Sequence, residues 1–91
     1  MRELETTGQF RKDLKRERKS NPAVDGSLMP VVESLQLDNT LPAARRDHAL
    51  TGSWKDHREC HVKPDLLLIY AKPDPQTLML ARLGSHSELF G

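Results

Sequence analysis

Six consecutive apolar residues, Leu66-Leu67-Leu68-Ile69-Tyr70-Ala71, form the longest uninterrupted apolar run in this chain of 91 residues. The run is far short of the roughly 20 residues that cross a bilayer as a helix. A strand turns successive side chains to opposite faces, so a strand apolar on both must be covered on both. The chain therefore has to build a small sheet with this strand inside it. A length of 91 residues supplies one modest core, so residues 1–91 read as a single domain.

The segments around that strand supply its cover. Arg2 to Glu5 can form a short strand in which Leu4 alternates with charged neighbours. Thr6 or Thr7 is a suitable N-cap for a helix over about Gly8 to Ser20, whose apolar stripe is narrow, Phe10 and Leu14. Asn21-Pro22 ends it, because the residue before proline avoids helical angles. Leu28, Val31, Val32 and Leu35 then recur at i, i+3, i+4 and i+7, the face of a second helix. Asp25 or Ser27 is its expected cap, with Pro30 tolerated in its first turn, and Asn39-Thr40-Leu41-Pro42 its stop. After Pro42 the period changes. Arg45 to Leu50 reads as loop or short edge strand, His57 to Lys63 alternates, and Thr77 to Leu83 follows the turn Pro73-Asp74-Pro75 as a further strand. Ser85 can cap one terminal helical turn. The expected fold is α+β: a helical hairpin packed on one face of a small, mostly antiparallel sheet.

Charge and composition limit the function classes. Charged residues make up 30% of the chain but the formal net charge is only +1, so distribution matters more than total. Arg11, Lys12, Lys15, Arg16, Arg18 and Lys19 crowd the first helix, either as a solvated face laced with ion pairs or as a track for a polyanion such as RNA. The N-terminal Met1-Arg2-Glu3-Leu4-Glu5 lacks the apolar core of a signal peptide. The single cysteine, Cys60, rules out an internal disulfide and fits a reducing cytoplasm.

The chemistry concentrates on Arg58-Glu59-Cys60-His61-Val62-Lys63-Pro64-Asp65, which leads into the apolar strand. Alternation sets Glu59 and His61 on one face, with His57 and Lys63, and turns Cys60 toward the apolar face where a thiol is inert. Asp65 starts the next strand and can reach the same edge. A carboxylate beside an imidazole passes protons near neutral pH, although a solvated sheet face is the plainer reading of His61 alone. Zinc needs three or four convergent ligands, and the His57–His61 pair has no second pair to complete a site; no metal and no cofactor is expected. Arg82 can offer its fork to a phosphate or close a strand-end salt bridge with Asp74 or Glu88. Phe90 is either a core plug, the plainer reading, or an exposed ring on which a base stacks. Trp54 reads as a core anchor. Together His48, His61, Asp65, Arg82, His86 and Phe90 supply proton donors and acceptors, a cation and an aromatic face. Those are the parts for cleaving RNA by attack of its own 2′-hydroxyl.

Five segments carry a resemblance: Asp47-His48-Ala49-Leu50, Gly52-Ser53-Trp54-Lys55, Arg58 to Asp65, Leu68-Ile69-Tyr70 and Arg82 to Phe90. In this order and spacing the chain resembles the YafQ-like branch of the RelE superfamily of bacterial toxins. Gln9-Phe10-Arg11-Lys12-Asp13 matches the usual opening of the first helix. The resemblance implies a RelE-like fold of the microbial ribonuclease type and an mRNA interferase of a type II toxin–antitoxin pair. It implies cutting of mRNA in the ribosomal A site, neutralisation by a cognate antitoxin, and contact with operator DNA only through that antitoxin. It assigns catalysis to His48, His61, Asp65 and His86 without settling which is acid and which is base; His86 is expected as the general acid and Asp65 or His48 as the base. Arg82, Phe90 and Glu59 are implied in substrate binding. The alternative is a non-catalytic RNA- or protein-binding module on the same fold. Glu59 stands where some members have Asp, and Leu66 where some have an aromatic residue.

Overall fold

The computed structural model describes residues 1–91. The chain runs β1 (Glu3–Thr6), α1 (Gly8–Ser20), α2 (Val24–Gln36), β2 (His48–Ala49), β3 (Arg58–Lys63), β4 (Leu66–Ala71), β5 (Thr77–Gly84) and α3 (His86–Phe90). Short 3-10 turns at Ala43–Arg45 and Gly52–Trp54 flank β2. The five strands form one sheet in the order β1-β5-β4-β3-β2. All pairings are antiparallel except β1 with β5, which is parallel, so the sheet is mixed.

As its composition requires, β4 sits in the middle of the sheet and is buried along its whole length. Leu66, Leu68 and Tyr70 face the helices and join Phe10, Val24, Leu28, Val31, Val32, Leu35, Cys60, Val62, Leu78, Leu80 and Leu83 in the main core. Leu67 and Ile69 face the other way, into a small cluster with Ala81 and Leu89, against which Leu50 and Trp54 pack. The helical hairpin covers one face; α3 and the Trp54 turn partly cover the second. Trp54 is the core anchor expected of it, though on the smaller cluster.

Helix α1 begins where expected. Thr7 is its N-cap, accepting from the Phe10 N–H at 2.9 Å while its hydroxyl donates to the Ala81 carbonyl at 2.8 Å. Helix α2 departs from expectation. It starts at Val24 behind Ala23, which offers no side-chain cap, so neither Asp25 nor Ser27 caps it. The turn is closed instead by Asn21, whose side chain accepts from the Ala23 N–H and whose carbonyl accepts from the Val24 N–H. Pro30 therefore lies inside the helix. It is exposed, as is Gly26, whose carbonyl loses its intrahelical donor on the side where water can reach it.

Two β-bulges break the ladder beside the polar end of the sheet. On β3 the pairing jumps from His61–Leu67 to Lys63–Leu66, leaving Val62 extra. On β5 it jumps from Arg82–Ile69 to Leu80–Tyr70, leaving Ala81 extra. Bulges re-aim side chains near sites. The first sets Lys63 opposite Leu66, a residue of the helix-side core, and so removes it from the His61 face where simple alternation put it. Asp65 is corrected as well: with Pro64 it forms the exposed two-residue turn of the β3–β4 hairpin and does not belong to β4.

Candidate active site

The outer face of the sheet carries a row His48 (β2), Glu59 (β3), Ile69 (β4) and Arg82 (β5), each opposite the next. One step along, His61 stands opposite Leu67, and Leu67 opposite Gly84. From Gly84 the chain turns into α3. A Cβ at Gly84 would meet Arg16 Nη2 at 3.0 Å, Glu88 Oε1 at 3.2 Å and Leu89 Cδ2 at 3.2 Å, so a larger residue would require these side chains to give way where α3 closes onto the sheet. Ser85 then caps α3. Its hydroxyl accepts from the Glu88 N–H at 3.2 Å, and its own N–H donates to Glu88 Oε1 at 2.8 Å. This reciprocal cap fixes where His86 begins. The backbone N–H on the Glu88 carboxylate holds that group below its ordinary pKa.

An open cleft of about 500 Å³ lies between the β3–β4 turn and α3, lined by His61, Pro64, Asp65, Leu67, Ser85, His86 and Ser87. It brings together three of the predicted residues, His61, Asp65 and His86. Phe90 borders it indirectly: its ring is tilted against His86 with centroids 5.2 Å apart, and it is 39% exposed. The core-plug reading of Phe90 is thus overturned. Leu89 is buried in its place, because a five-residue helix points only one side at the sheet.

His48 and Glu59 form a cross-strand pair outside the cleft. The Nδ1 of His48 donates to the Arg46 carbonyl at 2.7 Å, and its Nε2 lies 3.7 Å from Glu59 Oε1. Both ring nitrogens thus face oxygen acceptors. The second distance is too long for a hydrogen bond but within reach of an ion pair. Glu59 is buried, with His48 as its neighbour across the strands. The segment that carries His48 is fastened by its neighbours: Arg45 Nη1 donates to the Val62 carbonyl at 2.6 Å, and Asp47 accepts from Tyr70 Oη at 2.6 Å and Arg58 Nε at 3.1 Å.

Arg82 does not line the cleft. Its Nε donates to Asp13 Oδ2 at 2.7 Å and its Nη2 to Asp13 Oδ1 at 3.3 Å. The partner is Asp13 on α1, not Asp74 or Glu88; Glu88 pairs with Arg16 at 3.3 Å. Asp13 is fully buried and was missed from the sequence. It also accepts from the Leu83 N–H at 3.0 Å, Gln9 Nε2 at 3.1 Å and Arg16 Nη1 at 3.2 Å. Burial opposes its charge, but the donors, Arg82 foremost, outweigh burial and hold its carboxyl below the ordinary value. The available signal was its position: three residues after Phe10 and next to Leu14, Asp13 falls on the buried stripe.

The remaining candidates resolve plainly. Cys60 is buried in the helix-side core, and burial pushes its thiol up to about 12, so no thiolate forms near neutral pH. No three His, Cys, Asp or Glu side chains are grouped to hold a metal ion. Of the six cations on α1, Arg16 pairs with Asp13, Glu17 and Glu88, and Arg18 with Asp25, while Lys12, Lys15 and Lys19 have no internal partner.

A small α+β fold of this topology is the architecture of solved bacterial toxins. A metal-bound toxin from Helicobacter pylori superposes with a TM-score of 0.90 at 48% identity, covering 99% of this chain and 100% of that one. The toxin of the E. coli DinJ–YafQ toxin–antitoxin complex gives a TM-score of 0.84 at 37% identity, covering 99% and 98%. The mRNA interferase toxin YafQ of Escherichia coli strain K12 is 41% identical over 92 residues, 99% of this chain and 97% of that protein. Residues 2–91 match the family described as bacterial toxin of type II toxin–antitoxin system, YafQ, and the chain belongs to that family.

Proposed function

We propose that this toxin is an mRNA interferase that cuts RNA by attack of the 2′-hydroxyl on the adjacent phosphate. The observation that carries the reading is the cleft that gathers His61, Asp65 and His86. A carboxylate there takes the hydroxyl proton, and an imidazole across the cleft gives one to the leaving 5′-oxygen, so no proton has to be found in solvent. His86, at the start of α3, is the general acid. Asp65 is the base in preference to His48, because Asp65 shares the cleft with His86 whereas both nitrogens of His48 already face acceptors. His61 lines the same cleft and offers a hydrogen bond to the phosphate. Arg82, spent on Asp13 outside the cleft, holds α1 to β5 and takes no direct part at the phosphate, while Phe90 presents a half-exposed face on which a base stacks. Glu59 orients His48.

The E. coli relative occurs in a toxin–antitoxin complex. We extend that to a cognate antitoxin for this chain, and to action on mRNA in the ribosomal A site of the cytoplasm. The test is the mapping of mRNA ends in translating cells after induction of the wild type and of His86→Ala. New ends inside reading frames are expected from the wild type and none from the variant, with its circular dichroism unchanged. Cleavage by a folded His86→Ala protein would remove His86 as the acid. Growth arrest without any new ends would favour the non-catalytic binding module.

A further inference from the structure

A second cleft, of about 420 Å³, adjoins the first and is lined by Ala44, Arg45, Arg46, His61, Val62, Lys63 and Pro64. The two share His61 and Pro64. We propose that this second cleft binds a phosphodiester of the same RNA strand, neighbouring the one that is cut. This rests on the ribonuclease reading above and deepens it.

Charge is the first reason. Three cations line the cleft and no carboxylate does, in a chain whose acids and bases number 13 and 14. Elsewhere the basic side chains are largely spent on internal partners, as Arg2, Arg16, Arg18, Arg58 and Arg82 are. Arg46 and Lys63 have no hydrogen bond or ion pair from their side chains, so their charge is unneutralised where they stand. Arg45 differs: its guanidinium is held on the Val62 and His61 carbonyls, which makes it a fixed floor to the cleft.

Backbone geometry is the second reason, and it is independent of charge. Arg46 has φ 53° and ψ 40°, left-handed angles that glycine or asparagine adopts readily and arginine does not. The other non-glycine residues at positive φ are both aspartates, Asp38 and Asp56, a type that tolerates the region. The β3 bulge does the same for Lys63, turning it from the His61 face to the Arg46 side. Two local irregularities thus converge two free cations on one cleft. A polynucleotide threaded past His61 meets them next, and one strand carries a phosphate at every residue to occupy both clefts at once.

The test is the binding of a short single-stranded RNA to full-length protein carrying His86→Ala, which prevents turnover, across a salt series. Arg46→Asn keeps the left-handed turn and removes its charge; Lys63→Gln removes the other. The double variant is expected to bind more weakly. The slope of log affinity against log salt should fall by about 0.7 for each phosphate that the protein no longer neutralises. Arg46→Lys should restore its share. Lys12→Gln with Lys15→Gln, two free lysines on α1, should leave the slope where it was. An unchanged slope in the Arg46/Lys63 double variant overturns the subsite, as does absence of RNA binding by the parent, or weakened binding of an acidic antitoxin with RNA affinity intact. Should the slope respond while wild-type protein cuts no RNA in cells, the subsite stands and the ribonuclease reading falls. Should cutting proceed with the slope unchanged, the reverse holds.

Discussion

Replacing Asp13 with alanine takes one acceptor group from five donors at the junction of α1 and β5. The cost can be worked from their environments. The Leu83 N–H is buried and loses its only partner, which costs about 1–3 kcal/mol. Arg82, 21% exposed on its side chain, loses a charged acceptor held at 2.7 Å, worth about 1.5–3 kcal/mol. Arg16 is 40% exposed and lies at 3.2 Å, so solvent screening reduces its share to about 0–1 kcal/mol. The contributions overlap because Arg82 and Leu83 relax together, and about 3–5 kcal/mol is the range for breaking a buried pair on one side. For a domain of this size each kcal/mol moves the melting midpoint by roughly 4–8 °C. Thermal and urea melts of Asp13→Ala, Arg82→Ala and the double variant should therefore give a large single loss for Asp13→Ala and a double variant much less destabilised than the sum. The pH dependence adds a sign. Because the folded carboxyl lies below its unfolded value, its contribution is whole above the unfolded range, about 3.9, and disappears as pH falls through the folded value. Asp13→Ala should thus lose less stability on acidification than the wild type. A loss under about 1 kcal/mol at neutral pH, or strict additivity with Arg82→Ala, would refute the account of Asp13 as the hub that holds Arg82.

Three smaller perturbations follow from other junctions. Tyr70→Phe removes the hydroxyl donated to Asp47 at 2.6 Å and should cost about 1–2 kcal/mol, with amide exchange quickened over residues 45–50; unchanged exchange there would detach His48 from this tether. Iodoacetamide should leave Cys60 unmodified at neutral pH in folded protein and alkylate it once urea unfolds the chain, as mass spectrometry would register; labelling of the folded form would contradict its burial. Pro30→Ala restores a donor to the Gly26 carbonyl on an exposed helix face and should stabilise by about 1 kcal/mol in a urea melt, whereas a loss would mean α2 needs its break.

The tether and the hub lie where sequence reading is weakest. Helix α1 was legible but for the choice between Thr6 and Thr7 as its cap, since the cap threonines, Phe10, Leu14 and Asn21-Pro22 are local signals acting within a turn or two. The start of α2 was not. Its cap is the closing of a turn by Asn21, three residues before Val24, and that turn exists only because α1 ends there. Asp65 falls in the turn and not in the strand because two residues suffice for the β3–β4 hairpin, and a bulge, invisible in the pattern, sets its register. Arg82 had two acids on offer, Asp74 and Glu88; finding Asp13 instead required knowing that α1 crosses β5 beyond the end of β1, 69 residues away in sequence.

By itself the sequence determined what depends on local spacing. It required a central buried strand at Leu66 to Ala71, a helical hairpin to cover it and an α+β class, and its motifs pointed to the family. Apolar periodicity and capping act over a few residues, so they survive being read in one dimension. Tertiary structure alone decided the parallel docking of β1 on β5, the two bulges and the burial of Asp13. Each is a pairing between segments far apart in sequence, where many partners satisfy the same local rules. The selection is made by the demand that every buried donor and charge find its complement at once. That demand sets His61, Asp65 and His86 around one cleft and leaves Arg46 and Lys63 facing another.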